Sequence, residues 1–94
     1  MFYTYILASQ RNGTLYTGAT DDLARRVWLH REKALGIFTA KYGVDRLVWY
    51  EAHESREGAL HRERLIKRWR RAWKLRLIEE LNPGWRDLYE DLNG

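Results

Sequence analysis

Phe2 to Ala8 reads FYTYILA, Leu15 to Thr17 reads LYT, and Gln10-Arg11-Asn12-Gly13 lies between the two runs. Aromatic and β-branched runs joined through Asn-Gly are a strong local signal for a β-hairpin, because both turn residues tolerate positive φ. This feature constrains the chain most: it commits the first twenty residues to two antiparallel strands. A two-residue Asn12-Gly13 turn, or any even-numbered loop, makes paired positions sum to an odd number. Tyr5 and Tyr16 then project from the same face of the hairpin, whereas a three-residue loop would separate them.

After the hairpin, Thr20-Asp21-Asp22 offers an N-cap and an acidic first turn. Leu23, Val27, His30 and Ala34 follow at helical spacing, which predicts a helix over about 21 to 34. Gly36 to Gly43 reads as a loop, and Leu47-Val48-Trp49-Tyr50 as a third, buried strand. Glu54-Ser55-Arg56 opens the longest helical pattern, with Ala59, Leu60, Ile66, Trp69 and Trp73 on one stripe and a break expected near Arg71-Ala72. The pattern fades through Leu77, Ile78 and Leu81 until Asn82-Pro83-Gly84 stops it, and a short turn around Trp85 to Tyr89 follows. The order is β-β-α-β-α-α: an α+β fold in which a three-stranded antiparallel sheet is flanked by helices.

With 94 residues there is room for one core, so residues 1–94 are expected to form a single domain. Five Trp, six Tyr and two Phe supply the apolar area that so short a chain needs. The absence of cysteine excludes disulfide frameworks, thiol nucleophiles and Cys-based zinc sites, and fits a reducing cytoplasm. No signal-like start and no apolar run of membrane-spanning length is present, so neither export nor a membrane partner is expected. The net charge of +4 is concentrated: nine Arg and Lys face two Glu between Arg56 and Arg76. Such a segment is a footprint for an anionic partner, nucleic acid above all.

A few residues break the solvated-or-buried pattern. Glu63 falls between Ala59, Leu60 and Ile66 on the apolar stripe of its helix, where an unpaired carboxylate would cost several kcal/mol. It is either a structural pair for a nearby arginine or a metal-binding or catalytic group. Arg26 and His30, spaced i and i+4, can converge on one anion or one water, or else be a surface cation and a satisfied core histidine. Tyr5 and Tyr16 have equally ordinary roles as strand tyrosines with their hydroxyls at the rim. Gly18 either ends its strand or lets a phosphate approach the backbone. The tryptophans could include a base-stacking platform, although the spacing of Trp69 and Trp73 suits core packing better.

Taken in order, these residues resemble one family. Tyr5-Ile6-Leu7, then Tyr16-Thr17-Gly18, then Arg26 and His30, then Glu63 within ALHRERLIK resemble the GIY-YIG nuclease superfamily over nearly the whole chain. More narrowly, KRWR through NPGWRDL is similar to the C-terminal stretch of small stand-alone bacterial members. The resemblance implies a metal-dependent endonuclease cutting DNA phosphodiesters, structure-selective, with a place in DNA repair or recombination. A non-catalytic nucleic-acid-binding module of the same fold is the alternative. It assigns catalysis to Tyr5, Tyr16, Arg26, His30 and Glu63, with Arg26 on the scissile phosphate and Glu63 holding a single Mg²⁺ or Mn²⁺ that binds weakly without substrate. Gly18, Arg62, Lys67, Arg68, Arg71 and, by a looser alignment, Asn82 are the expected nucleic-acid contacts.

The sequence departs from the family pattern in three places. Tyr3-Thr4-Tyr5 stands for GIY, Thr17 replaces the isoleucine of YIG, and Ala19 occupies a position where the excision-repair nuclease subunit carries lysine. Without that cation, the general base is Tyr5, Tyr16 or His30. No base-reading element accompanies the domain, so selectivity is expected to come from substrate structure or from a protein partner.

Overall fold

The computed structural model describes residues 1–33 and 37–93, the side chains of residues 37, 38 and 93 apart. Three strands, β1 (Phe2–Ala8), β2 (Leu15–Thr20) and β3 (Arg46–His53), form one antiparallel sheet in the order β2-β1-β3. The helices are α1 (Leu23–Arg31), α2 (Ile37–Tyr42), α3 (Arg56–Arg68) and α4 (Arg71–Leu81), and a 3-10 helix spans Leu88–Asn93. The α+β class and the three-stranded antiparallel sheet are as the sequence predicts.

The hairpin keeps the expected parity with a shifted turn. Ala8 pairs with Leu15, so paired positions sum to an odd number. The Gly13 N–H donates to Gln10 O (2.9 Å), placing Arg11-Asn12, not Asn12-Gly13, at the turn's centre. Asn12 alone of the two carries positive φ (57°). Gly13 is required for a different reason: a Cβ there would meet Ser9 Oγ at 2.3 Å. Tyr5 and Tyr16 do share a face, since Tyr5 lies opposite Gly18 and Leu7 opposite Tyr16.

The helices also depart from the sequence reading. α1 runs 23–31 within the expected 21–34, and Ala34 and Gly36 lie outside the described residues. Part of the expected 36–43 loop is α2, whose end is closed by Gly43 at φ +62° with the Val44 N–H on Thr39 O. Gly43 thus acts as a helix stop. The break in the long helical pattern comes at Trp69-Arg70, both extended, two residues earlier than expected. The C-terminal turn is displaced to Leu88–Asn93.

Each face of the sheet is covered. Tyr5 and Leu7 pack with Leu23, Val27, Val44, Leu47 and Leu88 beneath α1 and the 3-10 helix. Ile6 and Ala8 pack with Val48, Trp49, Ile66, Ile78 and Trp85 beneath α3 and α4. A register shift between Ile6 and Leu7 lets Val48 and Trp49 both join this second cluster, which explains why four consecutive apolar residues are needed in β3. The chain's end is tied down by Asp87, which pairs with Arg31 and accepts from the Leu47 and Tyr89 N–H groups.

Candidate active site

Tyr5, Tyr16 and His30 form one aromatic cluster on the α1 side of the sheet. The Tyr5 hydroxyl lies 3.2 Å from His30 Nε2, and the Tyr16 and His30 ring centres are 5.2 Å apart. Tyr5 and Tyr16 are 6.4 Å apart. Local sequence explains the placement: Leu23, Val27 and His30 occupy one helical stripe, so the same face that anchors α1 carries His30 inward. Asp22 caps the helix by accepting the Arg25 N–H.

Gly18 is the opening through which this arrangement fits. A Cβ at Gly18 would lie 2.5 Å from the Tyr5 hydroxyl oxygen and 2.6 Å from Cζ, so no side chain can replace the hydrogen without moving the phenol. The strand's glycine is explained by the close pass of Tyr5.

Burial pushes the Tyr5 phenol well above its ordinary pKa. Neighbouring Tyr16 and the carboxylate of Glu63 push the same way, while the charge and hydrogen bond of Arg26 oppose them. His30 is shifted down, first by burial and then by Arg26, so its imidazole is neutral at neutral pH. The Tyr5 hydroxyl and His30 Nε2 share a hydrogen bond. The remaining ring nitrogen, Nδ1, is 3.3 Å from Thr39 Oγ1 on α2. Tyr5 is 0% and His30 3% exposed, whereas Tyr16 is partly open to solvent.

Arg26 and Glu63 approach from opposite layers. β2 is one of the sheet's two edge strands, and residues of α1 and α3 line a cavity beside it. A cavity of about 150 Å³ there is lined by Arg26 of α1, Ala19 of β2, Ala59 and Leu60 of α3, and Arg56 at the start of α3. Ala19 leaves this space open where a longer side chain would enter it. Glu63 shares a stripe with buried Ala59 and Ile66 and has a side chain only 16% exposed. Its partner is the largely exposed Lys67 (2.7 Å), not an arginine sealed in the core.

One carboxylate is a thin donor set. Among the described residues no three His, Cys, Asp or Glu gather around a common point. Glu63 nevertheless fits Mg²⁺ or Mn²⁺, which are hard cations that retain waters and take further oxygens from a phosphate.

The other expected nucleic-acid contacts are mostly engaged elsewhere. Arg62 pairs with Glu51 (3.1 Å) and lies over Trp49 and Trp69. Arg71 donates to Asn12 O and Gly13 O, clasping the hairpin turn. Asn82 is buried, donating to Val48 O and Arg86 O and accepting the Arg86 N–H, and the structure does not bring it to the cluster. Arg68 is exposed and makes no ion pair among the described residues. Two neighbours went unnoticed in the sequence. Thr39 falls in a segment whose sequence reads as a loop, and Arg56 is one cation among many in its segment; the helix over Ile37–Tyr42 is what brings Thr39 to His30.

The chain matches known proteins over most of its length. The profile described as the GIY-YIG catalytic domain matches residues 1–76. A UPF0213 protein of Syntrophus aciditrophicus is 41% identical over 85 residues, covering 86% of this chain and 92% of that one. A UPF0213 protein of Clostridium perfringens is 37% identical over 78 residues, 83% of each. The solution NMR structure of a UPF0213 protein from Bacillus halodurans is 32% identical, covers 93% of both chains and superposes with a TM-score of 0.57.

Proposed function

The chain belongs to the GIY-YIG catalytic domain family, and from that premise we propose that it is a divalent-metal-dependent endonuclease hydrolysing DNA phosphodiester bonds. The observation that carries the reading is the Tyr5–Tyr16–His30 cluster, with Arg26 lining the rim cavity and the charges of Arg26 and Glu63 both acting on the Tyr5 phenol. Hydrolysis requires a positioned water, a counter-charge for the phosphoryl oxygens and relief for the leaving oxygen. Bound at Glu63, a divalent cation supplies charge to the phosphate and lowers the cost of the departing oxygen.

The chain's own groups then divide the work. Arg26, opening on the rim cavity, binds the scissile phosphate through its planar fork of donors. Tyr16, the solvent-accessible member of the cluster, meets the attacking water and orients it at Oη. Tyr5 and His30, both buried, pack beside Tyr16 and hold it in place. Lys67, half exposed, would have to release Glu63 for that carboxylate to hold a cation. Gly18 keeps the path clear.

Exposed cations outside the cluster bind phosphates without reading bases, so selectivity follows substrate structure or a protein partner, in a repair or recombination setting. No helix among the described residues is long and apolar enough to cross a membrane, and a cytoplasmic site of action is part of the proposal. The Glu63–Lys67 ion pair, which occupies the carboxylate, favours a second reading as a non-cleaving nucleic-acid-binding module.

Purified protein incubated with branched, flapped and linear DNA and Mg²⁺ or Mn²⁺ separates the two. Metal-dependent cleavage that Glu63→Ala and Arg26→Ala abolish supports the nuclease. Cleavage that survives either substitution overturns it. Salt-dependent binding without cleavage, weakened by Arg68→Ala and indifferent to Glu63→Ala, establishes the second reading.

A further inference from the structure

Residues 67–76 read KRWRRAWKLR, which is six cations and two tryptophans with no acid. The structure does not bury those tryptophans as the helical spacing suggests. Because the helix breaks at Trp69-Arg70, Trp73 emerges 52% exposed, edge to face with half-buried Trp69 at 6.1 Å and 78°. Together with Arg76, Leu77 and Glu80 they line a surface groove of about 230 Å³. The Arg70 guanidinium lies 5.5 Å from the Trp73 ring centre, and Arg62 lies 5.4 Å from that of Trp69.

The charge around the groove runs against helix stability. α3 begins with a Ser55 cap and Glu57 and ends in Lys67 and Arg68, matching its dipole. α4 begins with Arg70 and Arg71, without a side-chain cap and without an acid in its first turn, at the end of a helix that prefers anions. A bound phosphate would relieve both the like charges and the uncapped N–H groups.

We propose that the Trp69–Trp73 groove is a nucleobase-stacking site, in which an unpaired base lies against the indoles while its phosphates meet Arg70, Arg76 and the start of α4. Aromatic faces beside arginines suit a stacked base and its backbone. A second copy of the chain is disfavoured as occupant, since the same basic surface would face itself. Glu80 at the groove's edge can accept from an exocyclic amino group. The site rests on the nucleic-acid reading above, but it lies outside the Tyr5–Glu63 cluster and is separable from it.

The test compares fluorescence-anisotropy binding of a blunt DNA hairpin with the same hairpin carrying a single-stranded tail, alongside quenching of tryptophan emission. Wild type is expected to bind the tailed hairpin about tenfold tighter, with quenching. Trp73→Ala should erase that preference and leave blunt-hairpin binding unchanged, while Trp73→Phe keeps most of it. Trp73 is half exposed, so an unchanged unfolding midpoint verifies that the variants fold. Equal binding of both hairpins by wild type overturns the site and leaves the nuclease reading standing. A tail preference that persists in Trp73→Ala overturns it as well, and so does sedimentation of the wild type as a dimer that Trp73→Ala dissociates. If the preference follows Trp73 but cleavage survives Glu63→Ala, the stacking site stands and the nuclease reading falls.

Discussion

The two faces of the sheet share three strands and differ in what the helices place on them. Beneath α3 and α4 the interior is Ile6, Ala8, Val48, Trp49, Ile66, Ile78 and Trp85. Its strand hydroxyl, Thr4, is satisfied on the Ala59 carbonyl at 2.8 Å. Beneath α1 the interior mixes Leu7, Leu23, Val27 and Leu47 with Tyr5, His30 and Thr39, joined by hydrogen bonds of 3.2 and 3.3 Å. One face is a store of stability. The other carries polar groups that an apolar replacement would serve better, which is the cost expected where chemistry is done.

The largest effect should come from the apolar face. Trp85 is fully buried and sits at φ 55°, a strained conformation for a bulky residue, held because its indole fills the core and donates to Glu79 at 2.9 Å. Trp85→Ala should lower unfolding free energy by about 3–5 kcal/mol, measured by urea denaturation. Cleavage per folded molecule should be unchanged; a specific loss would mean the two faces are not independent.

Gly18→Ala tests the polar face by overpacking. The added Cβ meets the Tyr5 ring, and a cost of about 1–3 kcal/mol is expected, together with loss of cleavage that restoring stability by osmolyte does not recover. Thr39→Val removes the oxygen opposite His30 Nδ1 in a buried site, with an expected cost of about 1–3 kcal/mol. Thr39→Ser should regain most of it. Equal penalties for Val and Ser would show that shape, not the hydrogen bond, is what Thr39 provides.

The smallest effect is in pH. His30 has a folded pKa below its ordinary 6.5, so in the window just beneath 6.5 the unfolded chain binds a proton that the native chain does not. Stability is therefore full above that range and falls as pH drops through it. Tyr5, raised above its ordinary 10.0, produces the mirror case: stability falls as pH rises past 10. Unfolding midpoints of His30→Gln and Tyr5→Phe against wild type across both limbs check this, with each variant flattening its own limb.

Much of this contrast could be read before folding. The aromatic runs around Asn12-Gly13 specified the hairpin and its parity, and the Leu23-Val27-His30 stripe specified which side of α1 faces in, because both are local periodicities. What was not readable depended on contacts distant in sequence. The exposure of Trp73 depends on the break falling at Trp69-Arg70, two residues before the point the sequence suggests, with no Gly or Pro to mark it. Arg62 and Arg71 look like free surface cations until Glu51, Trp49 and the hairpin turn come alongside them. Asn82 matches a family position by a loose alignment, and only the fold shows it as a buried bracket for Val48 and Arg86; Gly18's reason is the ring of Tyr5, thirteen residues earlier.

Glu63→Gln separates the faces most directly, because Glu63 lies on the apolar stripe of α3 yet is proposed to act at the polar site. Its ion pair with exposed Lys67 is an i,i+4 contact contributing about 0.5 kcal/mol or less. Measuring the unfolding midpoint and the Mg²⁺- or Mn²⁺-dependent cleavage rate on the same preparation should give unchanged stability and no detectable cleavage. A variant that still cleaves, or one whose lost activity is matched by a large loss of stability, would contradict the account.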